Sequence, residues 1–436
     1  MKRTLMIGGA AALVLATAQP GMFGEAAAYG QAATAKTAAP VDTLAADYVA
    51  QDRTQGIVVA WGKGDTAPVF ASAGRIAVEA DAPAAGPDSL WRVYSMTKPI
   101  TAMAAMMLVE DGKLKLDQPI ADFFPGFREM RVLTDPDNSL DSRPAKTQIT
   151  VRHLLTHTAG LGYTIITKGP LLKEYERLGI TPGAVNATFE AQARPIRPKS
   201  LKEFAERVAT LPLIAEPGTK WSYSIALDLL PAIIEAAAKT PYETFLQTRL
   251  LGPLKMTSTY WTVPQSELGR FATNYAWAGD TRIPIDPAKT SAYATPPSFP
   301  YGGAGLVMSA RDYDRFLHML VNEGTLDGVR VMKAETVRLA MSDILPEGVT
   351  FAGAPGGTGG DTAPRMGYGA GGSVYLEGVP GGPGKGTYGW GGAAGTVAWV
   401  DPANKIRGTV MVNYFPSDKW PLRADAVRAV YAQAAR

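Results

Sequence analysis

The chain has 436 residues, 46% hydrophobic and 19% charged, enough apolar material for a large core and against a compositionally disordered chain. Its 43 basic and 40 acidic side chains leave a net charge of +3, and without basic clusters this offers no electrostatic footprint for nucleic acid. It has no cysteine, which excludes disulfides, thiolate nucleophiles, cysteine zinc sites and a lipid-modified N-terminal cysteine, and it has three histidines: His153, His157 and His318.

Met1-Lys2-Arg3, an apolar run from Thr4 to Leu15 too short to span a membrane, and Ala16-Thr17-Ala18 read as a signal peptide over 1–18. Further small-residue sites follow Ala28 and Ala35, so cleavage anywhere up to about residue 35 fits. The expectation is an exported protein, periplasmic or extracellular, with no integral membrane span once mature. Residues 56–61 and 69–76 around the Gly62–Asp65 turn predict a strand hairpin. Helical spacing runs from Ser95 to Gly112, and further helices are predicted at 150–157, 200–211, 223–238, 242–251, 310–323 and 334–342. The glycine-rich stretch 353–395 reads as loops around a site. Strands return at 396–400 and 408–412, and an amphipathic helix closes the chain at about 421–434. Strands at both ends with helices between them predict an α/β (α+β) protein: one discontinuous domain from 41–124 and 291–436, and a mostly helical lobe over 125–290. There is no internal repeat and no heptad pattern.

Ser95-Met96-Thr97-Lys98 has the form Ser-x-x-Lys, and no other serine of the chain has a lysine three positions on. On a helix, positions i and i+3 share a face, so Ser95 Oγ and Lys98 Nζ can meet one turn apart. A serine at a helix start also has unused backbone N–H groups near it, suited to a developing negative charge. A neutral lysine there can take the serine proton, and such a pair needs no histidine. An isolated Ser-x-x-Lys is equally a capping serine beside a solvated lysine, so its context decides.

That context is the run Ser95-Met96-Thr97-Lys98-Pro99-Ile100-Thr101-Ala102, then Leu108 to Leu114 and Leu116 to Ile120, then Ile149 to Leu161 with Leu154-Leu155-Thr156-His157-Thr158-Ala159-Gly160. Pro217-Gly218-Thr219-Lys220-Trp221-Ser222-Tyr223-Ser224, Gly302-Gly303-Ala304-Gly305-Leu306-Val307 and Gly389-Trp390-Gly391-Gly392-Ala393 follow in order. Together they resemble the serine β-lactamase-like superfamily over about 90–415, within it most the family VIII carboxylesterases and their class C β-lactamase relatives. The resemblance implies a β-lactamase/transpeptidase-like fold with a mainly antiparallel sheet flanked by helices. It also implies a serine carboxylesterase that hydrolyses short- to medium-chain esters through an acyl-enzyme. Ser95 would be the nucleophile, Lys98 the base and Tyr223 the proton relay, with the backbone N–H groups of Ser95 and Ala393 as the oxyanion hole. Trp390, Gly391, Gly392 and Tyr163 would contact substrate, and Asp228 would hold a loop backbone.

Two departures from the family pattern bear on the substrate. Trp390 stands where β-lactamases carry a lysine that pairs with the substrate carboxylate, and Ile225 where they carry an asparagine. Both favour an uncharged ester over an anionic lactam. A β-lactamase or D-amino-acid peptidase using the same serine is the rival, with Arg311 or Arg365 as the replacement cation, and a non-catalytic ligand-binding homologue is a further one. No metal or other cofactor is expected. His153 and His157 are four apart but lack the glutamate and third ligand of a metalloprotease, and His318 reads as half-buried packing. Gly367-Tyr368-Gly369-Ala370-Gly371-Gly372 neither follows a clear strand nor opens a helix, so it is not a dinucleotide site. The expected partner is a small-molecule ester, and the oligomeric state is left open.

Overall fold

Gly56–Lys63 (β1) is apolar up to Gly62 and is buried along most of its length, as a strand covered on both faces must be. The computed structural model describes residues 39–181, 183–351 and 364–436. The proposed leader lies outside the described residues. β1 turns back into Val69–Gly74 (β2) and pairs on its other edge with the C-terminal part of the chain. With Met366–Tyr368 (β3), Ser373–Tyr375 (β4), Tyr388–Gly391 (β5), Val397–Asp401 (β6) and Ile406–Met411 (β7), the sheet runs β3-β4-β5-β6-β7-β1-β2, antiparallel throughout. The expected assembly of one sheet from both termini is therefore observed.

The stretch 353–395 departs from its reading as loops, because β3, β4 and β5 fall within it. Glycines hide a strand from pattern reading because they supply no alternating side chains, yet the ladder itself is made by backbone. Every residue of β6 and β7 is buried, so both faces are covered. Pro40–Ala50 (α1) and Leu422–Ala434 (α5) pack together on β1, β2 and β7, and Ala310–Val321 (α4) packs on β1, β6 and β7. The buried Arg407 of β7 donates through Nε to Asp314 of α4 at 2.8 Å, which satisfies two charges that would otherwise be costly inside.

Thr97–Glu110 (α2) is the central helix, buried from Thr97 to Leu108, and it packs against Ala226–Ala238 (α3). Between 125 and 290 helices predominate, stitched to the rest by short strands. Thr259–Tyr260 and Leu90–Arg92 both pair with Val307–Ser309, and Asn274–Ala278 pairs with Thr281–Asp286 and, in parallel, with Tyr414–Phe415. Helices at Gly169–Arg177 and Ala187–Ala193, and α1, were not anticipated from the sequence. No helix among the described residues is long and apolar enough to cross a membrane.

Candidate active site

Leu90–Arg92 leads into a 3-10 turn, Tyr94–Met96, that runs directly into α2. The approach is rigidly held. Asn413 pairs with both backbone groups of Arg92, and the Arg92 side chain donates to Asp286 at 2.8 Å and lies over the Phe271 ring. Tyr94 adopts a left-handed backbone with φ of 41°, a conformation costing about 1–3 kcal/mol for a non-glycine residue. Its buried ring makes an edge contact with Phe415, and its hydroxyl accepts from Asn274 at 2.9 Å. These contacts hold the strained turn that sets Ser95 at the head of α2.

Lys98 Nζ donates to Ser95 Oγ at 3.2 Å, so the i,i+3 spacing brings the two together as expected. Tyr223, 128 residues away in sequence, donates its hydroxyl to the same Oγ at 2.8 Å. Three side chains of α2 grip the 302–306 loop. Thr101 Oγ1 donates to the Gly302 carbonyl at 2.7 Å, Lys98 Nζ to the Gly303 carbonyl at 2.8 Å, and Thr97 Oγ1 accepts from the Leu306 N–H. From α3, Asp228 Oδ1 accepts the Gly303 N–H at 2.8 Å, so one residue links the Asp228 carboxyl group to Lys98 Nζ. A Cβ on residue 303 would lie 2.6 Å from Oδ1, and only glycine allows this approach. Burial raises the Asp228 pKa, opposed by Lys98 and the Gly303 N–H.

Tyr223 is buttressed on several sides. The His157 ring lies 4.7 Å away, Tyr163 at 5.4 Å and Trp390 at 5.8 Å, centroid to centroid. His157 Nδ1 lies 2.9 Å from Ser224 Oγ and accepts the Ser224 N–H at 3.2 Å, which ties down the residue next to Tyr223. Burial, with Lys98 adding to it, holds the His157 pKa well below the ordinary value, so the ring is neutral. His153 serves elsewhere, accepting the Thr150 N–H in a capping box at the start of Val151–Leu155. His318 Nε2 meets Asp65 at 3.0 Å. No metal-binding group of three or more ligands occurs among the described residues.

Trp390 and Tyr163 were read as walls of a substrate pocket. Their side chains are 1% and 2% exposed and pack against Tyr223, and the Tyr163 ring faces Lys98 Nζ at 5.6 Å. Burial, reinforced by Asp228, keeps the Tyr163 phenol protonated, with its pKa well above the ordinary value. Both rings therefore buttress Tyr223. At the end of β5, a Cβ on Gly392 would come 3.2 Å from the Val93 carbonyl carbon and closer still to its oxygen, so glycine lets this strand abut the turn that carries Ser95. The Ala393 N–H has no hydrogen-bond acceptor among the described residues. Arg311 pairs on the surface with Asp88 and Arg365 is exposed beside Glu377, so neither faces Ser95 as a replacement cation. The cation that does approach this strand is Arg423 of α5, whose Nη2 donates to the Gly392 carbonyl at 2.7 Å. Nothing in the sequence around Arg423 pointed to it.

Comparison with known proteins is consistent with this geometry. A family model described as beta-lactamase matches residues 41–432. Protein Rv1367c of Mycobacterium tuberculosis is 36% identical over 352 residues, 79% of this chain and 81% of that protein. Esterase EstB of Burkholderia gladioli is 31% identical over 372 residues, 79% of this chain and 83% of that protein. Among solved structures, EstCE1, a hydrolase with promiscuous acyltransferase activity, shares the fold with a TM-score of 0.71 at 23% identity, covering 90% of this chain and 97% of its own.

Proposed function

Since this chain belongs to the beta-lactamase family, we propose that it is a serine carboxylesterase of the family VIII type, hydrolysing short- to medium-chain esters through an acyl-enzyme on Ser95. The observation that carries the reading is the convergence of Lys98 Nζ and Tyr223 OH on one serine oxygen, 3.2 and 2.8 Å away. Ser95 Oγ bonds to the ester carbonyl carbon while its hydroxyl proton passes to Lys98 in the amine form. The carbonyl oxygen becomes an oxyanion facing the Ser95 and Ala393 N–H groups. The bond to the alcohol then breaks, Tyr223 protonates the departing alkoxide and is reprotonated from Lys98. Water attacks the acyl carbon, its proton passes to the same pair, and the acid leaves as the proton returns to Oγ.

An uncharged ester is favoured over a lactam because Trp390, whose indole packs on Tyr223, stands in the sequence where β-lactamases carry the lysine that pairs with a substrate carboxylate. A second reading, acyl transfer to an organic alcohol, is favoured by the seclusion of Ser95, which is only 9% exposed among aromatic rings that disfavour water. It draws further support from the promiscuous acyltransferase activity of EstCE1. The test is turnover of p-nitrophenyl acetate, butyrate and octanoate beside nitrocefin, with mass spectrometry of the acyl adduct. Ester turnover with the acyl mass on the Ser95 peptide, abolished in a folded Ser95→Ala and at least about 100-fold slower in Tyr223→Phe, is expected. Preferential nitrocefin cleavage, or activity retained by Ser95→Ala, would overturn the reading. Added butanol diverting acyl groups into butyl ester without slowing p-nitrophenol release would favour the transferase.

A further inference from the structure

The peptide unit joining Gly392 to Ala393 carries two polar groups on opposite edges, and in a planar trans peptide they point in opposite directions. The carbonyl edge is doubly engaged. It accepts from Arg423 Nη2 at 2.7 Å and from the Gly395 N–H at 3.2 Å. The N–H edge, on Ala393, has no acceptor within the protein among the described residues. A cation on the carbonyl of an amide draws electron density toward that oxygen and leaves its N–H a stronger donor.

The surroundings fit this contact. Arg423 is the second residue of α5, and its side chain is buried against the end of β5. The chain gives it room at Gly391, where a Cβ would lie 3.0 Å from the Arg423 Cζ. Among the charged and titratable groups that act on it are Tyr414 and Asp418 from the segment before α5 and Tyr223 from the site itself. The two glycines of Trp390-Gly391-Gly392 therefore do different things: Gly392 lets the strand abut the Ser95 turn, and Gly391 lets a guanidinium reach the backbone.

We propose that Arg423 is a positioning residue for ester cleavage, fixing and polarising the Gly392–Ala393 peptide so that the Ala393 N–H binds the oxyanion more strongly. This rests on the reading of Ala393 as half of the oxyanion hole and deepens it. Arg423 touches no substrate atom. Its effect is confined to the state in which the carbonyl oxygen carries charge, so it acts on kcat and leaves KM nearly unchanged.

The experiment compares the wild-type enzyme with Arg423→Met, which removes the donor, and Arg423→Gln, which keeps a neutral donor, on an oxo ester and its thiono analogue. Sulfur accepts hydrogen bonds poorly, so a thiono ester gains little from a stronger N–H. Losing a whole oxyanion donor costs about 100-fold or more, and loss of its polarisation is a fraction of that. The expected result is a fall in kcat of about tenfold for the oxo ester in Arg423→Met, a smaller fall in Arg423→Gln, and little change with the thiono ester. A trifluoromethyl ketone inhibitor should weaken by the same factor as oxo-ester kcat/KM. If Arg423→Met does not fold, Arg423→Gln carries the comparison. Equal losses on both esters, or an unchanged oxo-ester kcat, would overturn the role of Arg423. A wild-type enzyme that does not prefer the oxo ester would instead fault the oxyanion assignment itself.

Discussion

Replacing Asp228 separates what holds Lys98 from what merely holds the fold. Asp228 Oδ1 accepts the Gly303 N–H at 2.8 Å in a site 2% exposed, and the carbonyl of the same residue accepts Lys98 Nζ at 2.8 Å. Asp228→Ala removes a charge-assisted bond worth about 1.5–3 kcal/mol and strands a buried N–H for about 1–3 kcal/mol more. With an unfolding entropy of roughly 2 cal/mol/K per residue over about 400 residues, a loss of about 4 kcal/mol lowers Tm by about 5 °C. A freed Gly303 peptide no longer fixes the Nζ position beside Ser95 Oγ, and kcat should fall about 100-fold, since misplacements near 1 Å have that effect. Asp228→Asn keeps an oxygen acceptor of the same shape, so it should lose about 1 kcal/mol and less than tenfold in kcat. The assay is kcat and KM on p-nitrophenyl butyrate beside a thermal unfolding curve for each variant. An alanine variant that melts early but turns over at the wild-type rate would refute the linkage to Lys98. An asparagine variant as slow as alanine would show that the charge matters and not the geometry.

Two further outcomes follow from the same structure. Burial lowers the His153 pKa from 6.5 to about 4, so as pH falls through 6.5 the unfolded chain binds a proton that the folded one refuses, and stability falls until pH reaches about 4. Between pH 7.5 and 5 this costs about 2 kcal/mol. His153→Gln, which preserves the capping box without titrating, should remove that part of the loss in urea unfolding at the two pH values; an unchanged acid dependence would show that His153 is not its source. Gly392→Ala pushes a Cβ into the Val93 carbonyl, a backbone group that cannot rotate away, and should cut kcat at least about 100-fold while circular dichroism shows a folded chain. Turnover near the wild-type rate would mean that the end of β5 does not form part of the site.

The pairing of Ser95 with Lys98 was legible because it is local: three residues on one helix face fix the meeting whatever the rest of the chain does. The terminal strands and most helices were legible for the same reason, since an apolar run or a 3.6 period is set by neighbours in sequence. Tyr223 was identified through the order of motifs, and its distance to Ser95 came only from the fold, which carries it across 128 residues. Glycine-rich β3 to β5 escaped because their pairing is chosen by a backbone ladder that leaves no mark in side-chain pattern. Arg423 escaped because an arginine near the start of a final helix reads as a solvated charge. Its contact with Gly392 exists only because α5 folds back over β5, and because Gly391 offers no side chain in its path. The sequence by itself determined that Ser95 and Lys98 meet, and it determined the family frame. Tertiary structure decided which distant groups hold that pair, since hydrogen bonds between remote segments depend on the path of the whole chain.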